Sequence, residues 1–249
     1  MTPTTQQFDH ASISTEAWRL RLSRDLQAIE QFLPTALRHL HDTVVARAQQ
    51  AEVHGLVLSG STARGKRTVI SDVDYHVVGR KLDTTDLSPE LDLHVLSREE
   101  LEADVMAGDD FIQWSLRFGR VIFDDGTLLR ALRLMAERRP WPDVERKQRH
   151  AAKSLELARR VVATGDEDGA LLQVRTALSL AARAHLLRRG EFPMSRAELP
   201  DQLEAAGHAA AADALQSCID GQPSLVSLRD AVAEGLVLLG TTGTAAAHR

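Results

Sequence analysis

Apolar residues recur at helical spacing through 15–51, at Trp18, Leu20, Leu22, Leu26 and Ile29 and then at Leu37, Leu40, Val44 and Val45. Pro34 falls inside that run. It has no amide N–H to give and clashes with the preceding turn, so the pattern predicts two helices rather than one. Residues 1–13 read as a loose polar arm. The period then shortens. An apolar run over 55–58 closes on a Gly60-Ser61 turn, and 69–78, 91–96 and 120–123 read as three further strands. Ser97, three residues before Glu100, forms a capping box that predicts a helix over 98–107. Further helices are expected over 109–118 and 128–137.

Beyond Pro140 and Pro142 the strand pattern disappears. Helical periodicity runs through 143–164, 168–189, 196–206, 208–219 and 224–239. It is punctuated by glycine-rich breaks at 165–169, 190–193, 207 and 221–223, and a second capping box stands at Ser195 and Glu198. The tail, 241–249, is expected to fray. The chain therefore divides at about residue 140 into an α/β half and an all-α half. No internal repeat is present.

Composition narrows the function. The 249 residues are 43% hydrophobic but only 4% aromatic, so alanine, leucine and valine must fill the core. The net charge of −5 comes with interspersed acids and arginines and no long basic run. That argues against a nonspecific nucleic-acid binder, while leaving room for a small basic cleft. Cys218 is the single cysteine, so neither an intrachain disulfide nor a cysteine-type zinc site can form. No apolar run approaches a membrane span, and residues 1–10 lack the basic and apolar regions of a signal peptide. A soluble cytoplasmic protein is the expectation.

The chemistry concentrates between residues 59 and 94. Ser61 is followed, after ten residues, by Asp72-Val73-Asp74, and Asp92 sits in a similar apolar setting. Side chains alternate along a strand, so Asp72 and Asp74 face one way and Val73 and Tyr75 the other. Neighbouring carboxylates repel when both ionise, and a divalent cation relieves that repulsion. Mg²⁺ takes one or two protein carboxylates together with substrate phosphates. Gly60 lets a phosphate approach the backbone, Ser61 offers a hydroxyl, and Arg64 and Lys66 follow as cations. The run from Gly60 to Lys66 matches a P-loop up to its last position. Arg67 stands where a P-loop needs Ser or Thr, and a strand begins too soon for the following helix. His76 and His94 share faces with Asp74 and Asp92 and read as hydrogen-bonded strand histidines before substrate groups.

Gly60-Ser61-Thr62-Ala63-Arg64-Gly65, then Ser71-Asp72-Val73-Asp74, then Asp92, resembles the nucleotidyltransferase fold of the DNA polymerase beta superfamily, in particular its small bacterial and antibiotic-modifying members. Tyr75 and His76 depart from the aliphatic residues more usual there. The helical half, through 178–190, Glu191-Phe192-Pro193, Ser195 and Leu199, resembles more weakly the HEPN-type bundle. The arginine–histidine spacing of HEPN ribonucleases is absent, since Arg183 is too close to His185 and Arg175 too far.

The resemblance implies an α+β fold, with a mixed sheet flanked by helices over 1–140. A helical bundle over 141–249 would close the substrate cleft. It implies transfer of NMP from an NTP, ATP or another, to a hydroxyl of a small molecule such as an antibiotic or secondary metabolite. Pyrophosphate leaves, by a two-metal Mg²⁺ mechanism. Asp72, Asp74 and Asp92 would be catalytic and metal-binding, with Asp92 on the second metal or acting as general base. Gly60, Ser61, Thr62 and Arg64 would hold the nucleotide. Of the four lysines, Lys153 on the first bundle helix is favoured to reach the triphosphate. The expected partners are the NTP and the acceptor, with no membrane and no nucleic acid, in a monomer or homodimer. Two alternatives are a toxin–antitoxin-type enzyme that nucleotidylates a protein or RNA, and a nucleotide-binding scaffold without catalysis.

Overall fold

The computed structural model describes residues 14–32, 35–67, 71–79, 88, 90–221 and 223–240. The polar arm, the break at Pro34, the first residues of the second strand and the expected frayed tail lie outside the described residues. The chain forms two compact units, residues 1–142 and 143–249.

In the first unit, α1 (Thr15–Phe32) and α2 (Thr35–Gln50) precede β1 (Val53–Leu58), the four-residue α3 (Gly60–Ala63), β2 (Val73–Gly79) and β3 (Leu91–Leu96). Then come α4 (Arg98–Ala107), α5 (Asp110–Phe118), β4 (Arg120–Asp124) and α6 (Thr127–Arg138). The sheet order is β3-β2-β1-β4. β1 pairs antiparallel with both β2 and β4, whereas β2 and β3 run parallel, so the sheet is mixed and the fold class is α+β.

Strand alternation sorts the core into two layers. Val73, Tyr75 and Val77 pack with Leu56 and Leu58 against Ile29, Val44 and Ala48 from α1 and α2. Val57, Val78 and Leu96 face the other way, onto Leu101, Val105, Ile112, Leu116, Leu128 and Leu132 from α4, α5 and α6. β2 begins at Val73, opposite Leu91 of β3, and the start expected at residue 69 lies outside the described residues.

Local signals set the helix ends. The Ser97 hydroxyl accepts from the Glu100 N–H at 3.1 Å, and the Glu100 carboxylate accepts from the Ser97 N–H at 2.7 Å, completing the expected box. Asp109 is the cap of α5, not its first residue: its carboxylate accepts from the N–H groups of Phe111 and Ile112. The Asp25 side chain on α1 is buried and accepts from the Val121 N–H of β4 at 3.2 Å.

The second unit is all helix among its described residues: α7 (Val144–Thr164), α8 (Glu167–Arg188), a 3₁₀ turn at Arg196–Glu198, α9 (Leu199–Ala205), α10 (Ala209–Asp220) and α11 (Leu225–Leu239). Its core is built from small side chains. Ala151, Ala158, Ala170, Ala177 and Ala181 are buried around Leu155, Leu178 and Leu186. Gly235 belongs to that packing, since a Cβ there would come 2.5 Å from Leu155 Cδ2. The single helix expected over 196–206 is split, and α9 carries Pro200 in its first turn, where a missing N–H costs nothing. His185 is buried, and its Nδ1 lies 2.9 Å from the Leu238 carbonyl, a structural bond.

Candidate functional site

Just past the end of β1 lies buried Ser59, whose N–H donates to the Asp74 carbonyl at 2.8 Å. The chain then turns sharply through α3. Gly60 enters that turn with φ +64° and Gly65 leaves it with φ +65°. Gly60 is required twice over. A side chain would be strained at that φ, and a Cβ would lie 1.8 Å from Asp74 Oδ2. The Asp74 carboxylate therefore stands directly against the backbone of the Gly60-Ser61 turn.

The parallel register sets Asp74 opposite Asp92 and His76 opposite His94. Residues paired this way project from the same face of the sheet. Asp74 is half-buried and Asp92 is exposed, on a strand that forms the sheet edge. Asp72 is exposed and lies just before β2, two residues from Asp74. Among the described residues no three His, Cys, Asp or Glu side chains are gathered tightly enough to hold a metal ion by themselves.

The other expected ligands fall as follows. Ser61 is half-buried in α3. Thr62 is buried, and its hydroxyl donates to the Asp72 carbonyl at 3.3 Å, tying the turn to the mouth of β2. The Arg120 Nε donates to the Ala63 carbonyl at 3.1 Å and holds the back of the turn. Arg64 closes α3, with its guanidinium carbon 5.7 Å from the centroid of the Phe118 ring. Lys66 is exposed, and its N–H donates to the Ser61 carbonyl. Lys153 is exposed on α7, in the second unit.

A buried polar chain underlies the aspartates. His76 Nε2 is 3.2 Å from Ser115 Oγ, which is 2.6 Å from Ser59 Oγ and donates to the Phe111 carbonyl at 3.1 Å. With its one proton on that carbonyl, Ser115 receives from Ser59 and from a protonated His76 Nε2. The His76 ring also packs on Phe111, with centroids 4.3 Å apart. Burial, and after it the neighbouring His94, pushes the pKa of His76 down to about 3. His76 is thus neutral across the physiological range and is no proton carrier there. The sequence reading missed Ser59 and Ser115. The available signal was a serine on the otherwise apolar stripe formed by Phe111, Ile112 and Leu116.

No protein-family model matches this chain, and no curated protein does. Among solved structures it is similar to a nucleotidyltransferase-like protein from Exiguobacterium sibiricum 255-15, with 18% sequence identity and a TM-score of 0.41. The match covers 83% of this chain and 74% of that one.

Proposed function

We propose that this chain is a nucleotidyltransferase that moves NMP from an NTP to a hydroxyl group of a small-molecule acceptor and releases pyrophosphate. The observation that carries the reading is the meeting of three backbone segments. Asp74 and Asp92 lie in register on parallel strands, and the Asp74 carboxylate abuts the Gly60-Ser61 turn.

The donor set fits Mg²⁺, which asks for one or two protein carboxylates and completes its shell with substrate phosphates and water. Asp74 and Asp92, with Asp72 at the mouth of β2, would hold it. When bound, it would supply charge neutralisation on the phosphates and acidify a coordinated hydroxyl. The chain's own residues do the rest. The glycine at position 60 admits the Asp74 carboxylate to the backbone of the turn, and the Ser61 hydroxyl donates to a phosphate oxygen. Asp92, exposed at the sheet edge, takes the acceptor's proton. The acceptor oxygen bonds to the α-phosphorus as the bond from phosphorus to the bridging oxygen breaks, and the electron pair leaves with pyrophosphate. The Ser59–Ser115–His76 chain keeps the end of β1, and hence the turn, in place. By analogy of fold alone, the acceptor class is an antibiotic or other secondary metabolite.

The test is Mg²⁺-dependent pyrophosphate release with hydroxyl-bearing acceptors such as aminoglycosides. The reading requires release by the wild type and its loss in a folded Asp74→Asn variant. Release that survives Asp74→Asn contradicts it.

A further inference from the structure

The sheet face that carries Asp74 and Asp92 passes into aromatic rings one step along the strands. His76 stands opposite His94 in the parallel register, and Val78 stands opposite Leu96 after that. His76, Val78 and Leu96 are buried, but His94 is exposed. Phe111, in the first turn of α5, closes on both imidazoles. Its ring centroid lies 4.3 Å from that of His76 and 5.6 Å from that of His94, and the two imidazoles are 5.1 Å apart. Phe111 is nevertheless 43% exposed. The Phe111 and His94 rings stand at 73° to each other, so a flat group laid on one is flanked by the other. The backbone fixes this arrangement. The Asp109 carboxylate accepts from the Phe111 N–H at 3.0 Å, and Gly108, at φ +73°, leaves no room for a side chain against the Trp141 carbonyl.

We infer that Phe111 and His94 receive the nucleobase of the NTP, an inference that rests on the transferase reading above. The sheet order β3-β2-β1 sets the direction. In-line transfer puts the leaving pyrophosphate and the acceptor on opposite sides of the α-phosphorus. The pyrophosphate lies at the turn after β1, and the acceptor lies at Asp92 on β3. The ribose leaves across that line, which is the direction in which the strands run. Towards the interior of the sheet, the first residues it meets are those of the His76–His94 pair. Two residues along a strand is about 7 Å, the reach of a ribose from its phosphate to its base. Beyond that step the face closes into the core at Val78 and Leu96, so the exposed rings mark where the opening ends. Every base has a π-face, and stacking on an aromatic side chain tolerates all of them. The two rings therefore add affinity for the nucleoside without choosing among the bases.

The experiment is calorimetric titration of the full chain in Mg²⁺ with ATP, GTP, CTP, UTP and, as the probe without a base, tripolyphosphate. Wild type is expected to bind at least one nucleotide about tenfold or more tightly than tripolyphosphate, the scale of one base stacked on an aromatic ring. Phe111→Ala is expected to remove that advantage and leave tripolyphosphate binding unchanged, while Phe111→Tyr keeps both. If Phe111→Ala does not fold, His94→Ala at the exposed sheet edge serves, with an expected loss of about threefold or more for the nucleotide alone. Asp74→Asn is expected to weaken nucleotide and tripolyphosphate alike. Tripolyphosphate bound as tightly as every nucleotide, or a folded ring variant that binds nucleotide like wild type or loses both ligands equally, overturns the inference and leaves the aspartate site standing. A folded wild type with no Mg²⁺-dependent binding of any probe contradicts the transferase reading, and this inference with it.

Discussion

The Asp74 carboxylate occupies the space that a side chain at position 60 would need, so that a Cβ on Gly60 would lie 1.8 Å from Asp74 Oδ2. Gly60→Ala must therefore displace the carboxylate and strain a backbone at φ +64°. We expect it to abolish metal-dependent transfer as completely as Asp74→Asn does. It should also cost about 1–3 kcal/mol of stability, which Asp74→Asn should not. Denaturant titration beside an activity assay reads both effects.

Asp72 and Asp92 are exposed, so their carboxylates contribute little to the core. Asp72→Asn and Asp92→Asn should change stability by less than about 0.5 kcal/mol while removing most activity. A large melting shift in either variant would mean that the aspartate serves the fold.

Asp25 gives the opposite outcome. Its buried carboxylate faces Arg21 and Arg120 and accepts from the Val121 N–H. Asp25→Ala leaves buried guanidinium groups without their counter-charge, at a cost of about 3–5 kcal/mol. Thermal denaturation of wild type and variant measures it.

His76 sets a pH dependence. Its folded-state pKa, about 3, lies below the 6.5 of a free imidazole. The unfolded chain therefore binds more protons between those values, and the stabilisation present above pH 6.5 is lost as pH falls toward 3. Burial lowers the pKa of His41 and His185 in the same direction. The His76 contribution is isolated by comparing wild type with His76→Gln. The wild-type stability curve should fall more steeply between pH 6.5 and 4, by a few kcal/mol as an order of magnitude. Parallel curves would show that His76 is not held neutral.

Much of the fold was written in local signals. Leu91, Leu93 and Val95 alternate with polar residues, and β3 runs over the span that alternation marks. Ser97 and Glu100 start α4 as a capping box must. What escaped depends on distant partners. Nothing local says that β2 and β3 run parallel, yet that register is what sets Asp74 beside Asp92. Gly60–Ala63 is one helical turn, too short to show a 3.6-residue period, and it read as a bare turn. Arg21, Arg24 and Asp25 look like an ordinary charged helix face until α5 and β4 bring Arg117 and Arg120 to them. Thr62 read as a nucleotide contact, and no local signal announced that its hydroxyl donates to the Asp72 carbonyl.

Nucleotide binding tests the central claim without knowledge of the acceptor. Thermal denaturation would be followed with ATP, GTP, CTP and UTP, each with and without Mg²⁺, for wild type and Asp72→Asn/Asp74→Asn. At 100 times its dissociation constant a ligand stabilises by about 2.7 kcal/mol, a visible melting shift. The account predicts a Mg²⁺-dependent shift with at least one nucleotide that disappears in the aspartate variant. A folded wild type with no Mg²⁺-dependent shift for any nucleotide, or one that the aspartate variant retains, would contradict the account.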